Sequence, residues 1–581
     1  MSTSLTVERD LLIPMRDGVK LATDIYRPAA AGRYPVLVHR TPYSKDDWWV
    51  VGTLMFSPVA AVERGYVVVV QDSRGRFKSE GEWVPFFCEG SDGYDTVEWA
   101  AAQPWSDGRV GIYGSSYNGV TTIQALVAAP PHLKACVSYM TGANYHQGWV
   151  YSGGAFELAF NLWWALHQGW DTVSRLGLNE PELEQMLARL TLGVTEPREA
   201  IRHLPQLNHP LFQGGIARYY DEWLAHPKYD GYWEQVDAVA HAVNIKVPVL
   251  QISCWYDGFL KGHLDLNEAL KSHPDRRVRD THELVIGPWE HMSYLGVRKS
   301  AAGEREFGPA AVSGPTMVAP LALEWFDRWV AEKQTAAPGA KRVRYFVMGS
   351  NAWHEADAWP PPHTATRYYL RSGGRANTRC GDGVLETEAP GNEPADSYVY
   401  DPASPVPTAG GRSMAPSLCP AGVQDQAEVE QRDDVLVYTA PRLTVPLTIA
   451  GPVSVALFAS SSAPDTDFTG KLVDVQPDGY CAGIAEGIIR ARYRNGMDRE
   501  VLLTPGEVVE LSIDLLAVAH TFQTGHRVRL EISSSNFPKY DRNLNVAAPL
   551  AAVSAADMRR AAQQVFHERR RASYITLPVV S

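Results

Sequence analysis

A serine, an acid and a histidine occur in this chain in an order and a setting that would support acyl transfer. The stretch Val110-Gly111-Ile112-Tyr113-Gly114-Ser115-Ser116-Tyr117-Asn118-Gly119 reads as a short apolar strand running into a tight turn, with a helix-compatible run, Val120 to Ala129, directly after it. A serine at such an elbow is held away from its own backbone at the end of the sheet, where a base can reach it. Two serines compete for the apex. The residue two before the nucleophile must be small, because strand and helix backbones come close there. That residue is Gly114 for Ser116, whereas Ser115 would be flanked by Tyr113 and Tyr117. Ser116 is the better candidate, although Asn118 stands where a G-x-S-x-G pattern has glycine and Gly119 follows one residue late.

Serine needs an imidazole to take its proton and a carboxylate to orient that imidazole. In folds with this elbow the partners follow in the order acid, then histidine, beyond the ends of later strands. Val247–Ser253 is strand-like and opens into Cys254-Trp255-Tyr256-Asp257-Gly258; Glu283–Ile286 opens into Gly287-Pro288-Trp289-Glu290-His291. Asp257 and His291 are therefore the expected partners. His282 would lie at the wrong end of its strand, and Glu290, adjacent to His291, is the alternative orienter. A developing oxyanion also needs donors. The Tyr117 N–H is one candidate, and Tyr43, in the loop after the strand Tyr34–His39, either packs its ring under that loop or supplies a phenolic hydroxyl as the second.

Strands and helices alternate from Val7 to Met140, with eight strand-like runs in all up to Ile286, which indicates a mostly parallel sheet covered on both faces. Leu321–Gln334 reads as a closing helix with Leu321, Trp325 and Trp329 on its buried stripe. The interval between Ser116 and Asp257 is far longer than one strand–helix unit requires. Its excess, 145–244, is helical in pattern and is expected to form an inserted cap. Aromatic residues crowd this segment, and those facing the elbow should line an acyl pocket. Trp149, Phe156 and Trp163 are candidates there, as are Trp255 and Trp289 beside the acid and base. Glu157 is a candidate anchor for a substrate ammonium. After Ala336-Ala337-Pro338-Gly339, a candidate linker, short alternating segments such as Val343–Val347, Val453–Phe458, Lys471–Val475 and Arg527–Ile532 indicate a β-sandwich, with 388–425 as a long loop.

Further segments, together with these, carry a family resemblance. They include Arg16-Asp17-Gly18-Val19-Lys20-Leu21, Asp24-Ile25-Tyr26-Arg27-Pro28, Gln71-Asp72-Ser73-Arg74-Gly75-Arg76 and Ser79-Glu80-Gly81. Near the C-terminus come Ser462-Ala463-Pro464-Asp465-Thr466-Asp467-Phe468 and Lys471-Leu472-Val473-Asp474-Val475. With the elbow read as G-x-S-Y-x-G, the chain resembles the cocaine esterase-like hydrolases, relatives of X-Pro dipeptidyl-peptidases and α-amino acid ester hydrolases. The resemblance implies an α/β-hydrolase core (1–144 and 245–341), a helical cap (145–244) and a C-terminal jelly roll (342–581). It implies Ser116, Asp257 and His291 as the triad, and the Tyr117 N–H with the Tyr43 hydroxyl as the oxyanion hole. No metal or organic cofactor is expected. The family includes esterases and amidases and often forms dimers, so a homodimer is an expectation. An ester with a bulky acyl group is the expected substrate. X-Pro dipeptides, amides and β-lactam side-chain amides are the alternatives, and a catalytically silent binding protein is the non-enzyme alternative.

Composition narrows the partners. A formal charge of −12 argues against nucleic acid or an anionic membrane. Six scattered cysteines without a C-x-x-C pair fit reduced thiols rather than zinc ligands. The N-terminus, charged at Glu8, Arg9 and Asp10, does not read as a secretory signal, and no long apolar span occurs. A cytoplasmic location is expected.

Overall fold

The computed structural model describes residues 4–47, 55–294, 300–313, 315–333 and 341–580. Ten strands form the first sheet: β1 (Leu5–Pro14), β2 (Lys20–Pro28), β3 (Tyr34–Thr41), β4 (Val67–Asp72), β5 (Ser106–Ser115), β6 (Leu133–Tyr139), β7 (Val249–Tyr256), β8 (Glu283–Glu290), β9 (Val343–Val347) and β10 (Ala352–Ala356). Their order is β1-β2-β4-β3-β5-β6-β7-β8-β9-β10. The run from β4 to β9 is parallel, and the edges close with antiparallel pairs. Every residue of β4 and β7 is buried, as expected of parallel strands covered on both faces.

Chain direction across the sheet reverses between β3 and β5. The loops leaving these two strands diverge there and open a crevice at their C-terminal ends, the usual binding position in open α/β sheets. Tyr43 follows β3 and Ser116 follows β5, so the topology brings them together. Asp257 and His291 follow the neighbouring strands β7 and β8. The helix after the elbow is α1 (Tyr117–Val127).

Between β6 and β7 lies the cap, built on α2 (Leu158–Arg175), α3 (Glu180–Thr195) and α4 (Arg218–Ala225) with a small hairpin, Tyr151–Ser152 against Ala155–Phe156. The closing helix, α5 (Pro315–Trp329), buries Trp325 and packs Leu321 and Trp329 partly against the sheet core.

A second, 12-stranded sheet system runs from Thr364 to Val579 and forms the C-terminal β-domain. One apolar cluster joins its interior (Val455, Leu472, Leu530) to Trp255, Leu284 and Phe346 of the first sheet. The acids of Ser462–Phe468 are structural. Asp465 pairs with Arg492 at 2.8 Å and Asp467 with Arg490 at 2.9 Å. Arg490 also holds Asp541 at 2.7 Å, and Asp541 accepts the Phe156 N–H of the cap hairpin at 2.9 Å.

Two expectations are corrected. Val343–Val347 was expected in the jelly roll, but it extends the first sheet by pairing parallel with β8, and β10 follows it. The change to all-β architecture therefore comes after Ala356 rather than at residue 342. Its alternating pattern does not distinguish an added edge of one sheet from the start of another. The segment 388–425 is not one long loop: Asp396–Tyr400 is a strand, and Arg412 to Ala415 are buried. Arg412 donates to the carbonyls of Trp255 (3.1 Å), Glu486 (3.0 Å) and Leu515 (3.0 Å), stitching the loop to both sheets. The Ala336–Gly339 linker lies outside the described residues.

Candidate active site

Ser116 sits at φ 55° and ψ −128°, a conformation that costs a side-chain-bearing residue roughly 1–3 kcal/mol. Its surroundings enforce it. The Ser116 N–H is directed at the carbonyls of Tyr139 (3.1 Å) and Met140 (3.2 Å). A Cβ on Gly114 would lie 2.0 Å from the Asn118 carbonyl oxygen. A Cβ on Gly119 would lie 2.5 Å from the Thr141 Cβ. The second glycine therefore faces the loop after β6, and the close approach falls at 119 rather than 118. Ser115 ends β5 fully buried, while Ser116 retains 8 % exposure.

The Ser116 Oγ lies 3.0 Å from His291 Nε2. His291 Nδ1 lies 3.0 Å from Asp257 Oδ1, which also accepts the Phe259 N–H at 3.0 Å. Asp257 and His291 are both buried. Glu290, the alternative orienter, instead accepts the Gly303 N–H at 3.3 Å.

Tyr43 reaches the same point from β3. Its hydroxyl accepts the indole N–H of Trp164 at 3.1 Å, and the Ser116 side chain and the Tyr117 N–H lie near enough to act on its titration. Burial raises the phenol's pKa above its ordinary value against the opposing pull of those neighbours, so it keeps its proton at neutral pH. With Trp164 donating to its oxygen, the hydroxyl keeps its own proton to donate elsewhere.

Ring contacts sort the aromatic residues, which the sequence could not. Trp149 stacks on Phe259 at 4.0 Å, and Phe259 meets the His291 ring edge-on at 5.0 Å. Phe160 packs against both Trp149 and Phe259. Trp164 stacks on Tyr117 at 5.7 Å. Met414 joins this cluster, reaching it from the β-domain side of the chain.

Other expected lining residues lie elsewhere. Trp255 is buried against Trp359 with its N–H on the Phe346 carbonyl, and Trp289 is buried with its N–H on the Ala311 carbonyl. Both brace the sheet core. Phe156 packs inside the cap on Tyr151 and Tyr220. Trp163 packs on His167, one residue around the helix from Trp164. Glu157 accepts from the Ser152 hydroxyl at 2.6 Å and borders a cavity of about 300 Å³. The lining of that cavity includes Gly148, Gly258, Glu486 and Lys539 but neither Ser116 nor His291. Burial pushes the Glu157 carboxyl up to about 7.

Phe259 and Met414 were not anticipated in this cluster, and Trp164 was not separated from the other cap aromatics. Phe259 could have been found two residues after the acid, and Trp164 from the stripe it forms with Gln168 on α2. Nothing in the local sequence marks Met414.

Among the described residues, Asp10, Asp24 and Asp46 are grouped closely enough to hold an ion. The Lys45 ammonium occupies the position a cation would take, 2.5 Å from Asp10, 2.8 Å from Asp24 and 3.2 Å from Asp46. No helix among the described residues is long and apolar enough to cross a membrane.

A parallel sheet with a strained serine at its elbow, a cap over that serine and a C-terminal β-domain define a three-part hydrolase architecture. Comparison with known proteins agrees. The profile of the X-Pro dipeptidyl-peptidase (S15 family) matches residues 17–293, and that of the X-Pro dipeptidyl-peptidase C-terminal non-catalytic domain matches 336–576. The cocaine esterase of Rhodococcus sp. (strain MB1 Bresler) is 38% identical over 577 residues, 99% of each chain. An aminopeptidase from a marine sediment Thaumarchaeota archaeon superposes with TM-score 0.81 at 27% identity, covering 100% of this chain and 97% of its own. An α-amino acid ester hydrolase superposes with TM-score 0.78 at 28% identity, with the same coverage. The chain belongs to the cocaine esterase-like family of serine hydrolases.

Proposed function

We propose that Ser116 is the nucleophile, His291 the general base and Asp257 its orienter, and that the substrate is an ester with a bulky or aromatic acyl group. The observation carrying this reading is the continuous pair of 3.0 Å contacts from Ser116 through His291 to Asp257, flanked by the Trp149–Phe259 stack. His291 Nε2 takes the Ser116 proton as Oγ attacks the carbonyl carbon. The tetrahedral oxyanion is held by the Tyr117 N–H and the Tyr43 hydroxyl. His291 then protonates the departing alcohol, leaving an acyl-enzyme. Water, deprotonated by His291, attacks that ester and releases the acid. Every step uses groups of the chain itself. The acyl group would lie against the aromatic cluster of Trp149, Phe160, Trp164 and Phe259 beside His291.

X-Pro peptides are less well supported. An ammonium needs convergent carboxylates near the reacting carbonyl, and Glu157 borders a different cavity. A cytoplasmic location is supported by six unpaired cysteines, and a homodimer rests on the resemblance alone, to be checked by sedimentation. Labelling with a fluorophosphonate, followed by a panel of aryl esters, acetate esters, X-Pro anilides and β-lactam side-chain amides, tests the reading. Label on Ser116 and fastest turnover of aryl-acyl esters are expected. Absence of label would favour a silent binding protein, and fastest turnover of an anilide or amide would displace the ester reading. Tyr43→Phe is expected to lose about 10²–10³ in kcat.

A further inference from the structure

Arg76 is a guanidinium buried almost completely beneath the cap, outside the reacting groups. Its Nε donates to the carbonyl of Pro42, the residue before Tyr43, at 3.0 Å. Its other nitrogens donate to the Gln168 carbonyl at 3.2 Å and the Gln168 side-chain oxygen at 3.0 Å. Asp171 lies 3.4 Å away, and the guanidinium stacks over Trp83 at 4.3 Å. Trp164, Gln168 and Asp171 fall at i, i+4 and i+7, on one face of α2. The helix face that holds Arg76 thus also carries the indole that bonds the Tyr43 hydroxyl. Trp83 in turn meets Tyr117 and Trp164. The Tyr43 loop needs such support: Ser44 sits at φ 81°, a strained value for a non-glycine residue.

We infer that Arg76 is a positioning residue for the oxyanion hole, fixing the backbone of the Tyr43 loop and the cap helix that orients its hydroxyl in one rigid unit. The five donors of a guanidinium allow it to bond two segments at once, which a lysine ammonium on a single stem cannot reproduce in the same plane. Misplacement of a catalytic group by about 1 Å can cost 10²-fold in rate. The inference rests on the proposed role of Tyr43.

A double-mutant cycle tests it with an aryl ester. Arg76→Met should lower kcat about tenfold with KM changed less than twofold, and Arg76→Lys should recover little of the loss. In a Tyr43→Phe background, Arg76→Met should cost less than a further twofold, because the hydroxyl it positions is gone. Full additivity, with Tyr43→Phe slow, would show that Arg76 acts only on the fold and overturns the inference while leaving Tyr43 in place. Wild-type rates for Tyr43→Phe would overturn both. If Arg76→Met does not fold, Gln168→Met removes one of the Arg76 acceptors. It should slow kcat about threefold in the wild type and not at all with Tyr43→Phe; equal losses in both backgrounds overturn the inference.

Discussion

Replacing Asp257 by Asn tests the triad through a single atom. In the native chain Oδ1 accepts both the His291 Nδ1–H and the Phe259 N–H at 3.0 Å, and Oδ2 has no hydrogen-bond partner among the described residues. An asparagine can enter this site in two ways. With its oxygen in the Oδ1 position, the amide NH2 is buried without a partner, at roughly 1–3 kcal/mol. Turned over, the NH2 donates to His291 Nδ1 but leaves the Phe259 N–H without its acceptor, at a comparable cost. The turned state also forces the histidine proton onto Nε2, where it faces the Ser116 oxygen and cannot accept a proton. In both states the negative charge that stabilises the imidazolium is lost. The expected loss is about 10⁴ in kcat, or about 5.5 kcal/mol of transition-state stabilisation. Burst kinetics with a chromogenic aryl ester would read acylation directly, with Glu290→Gln as the control, expected within threefold of wild type. The reasoning is refuted if Asp257→Asn acylates within tenfold of wild type, or if Glu290→Gln is the variant that loses the burst.

Further outcomes follow from the same geometry. Gly114→Ala should not give a folded, active protein, because the new Cβ meets a backbone carbonyl at 2.0 Å that cannot withdraw; soluble enzyme with wild-type melting would contradict the packed elbow. Phe259→Leu keeps an apolar side chain but loses the stack on Trp149 and the edge contact to His291. It should reduce kcat/KM for a benzoate ester about 10–100-fold, and for an acetate ester less than threefold. Equal losses on both esters would separate Phe259 from acyl recognition. Glu157, with its carboxyl raised from 4.5 to about 7, binds its proton more tightly in the folded state. Its contribution to stability is complete below pH 4.5 and is lost as pH rises through about 7, by at most about 3–4 kcal/mol. Differential scanning fluorimetry should show wild type losing more melting temperature between pH 5 and 8 than Glu157→Gln; parallel curves for the two would sink the argument.

Much of this molecule was legible in the residue order. The elbow was readable because close backbone approach admits only glycine at 114, and the meeting of Asp257 and His291 with Ser116 because each follows a short apolar strand. These are local constraints, so a linear pattern carries them. The same holds for the parallel sheet, whose doubly covered strands must be continuous apolar runs, and for the cap, whose presence follows from surplus length before Asp257. Tyr43 was expected near Ser116 because the loop after β3 lies beside the elbow where the strand order reverses between β3 and β5.

Tertiary structure decided what local pattern leaves degenerate. Trp149, Trp163, Trp255 and Trp289 are all large apolar side chains, and composition gives no reason to separate them. Helix phase turns Trp164 toward Tyr43 and leaves Trp163 outside, while Trp255 and Trp289 pack into the core around the sheet. Residues far apart in the chain complete the site: Phe259 packs on Trp149 of the cap, and Met414 joins them from the loop that Arg412 stitches between the sheets. The pairing of β9 with β8 likewise depends on which edge is free in space, since one alternating strand fits either sheet. A sequence names the reacting groups when their backbone setting is distinctive, but the walls of the pocket are set by the side chains that folding brings against them.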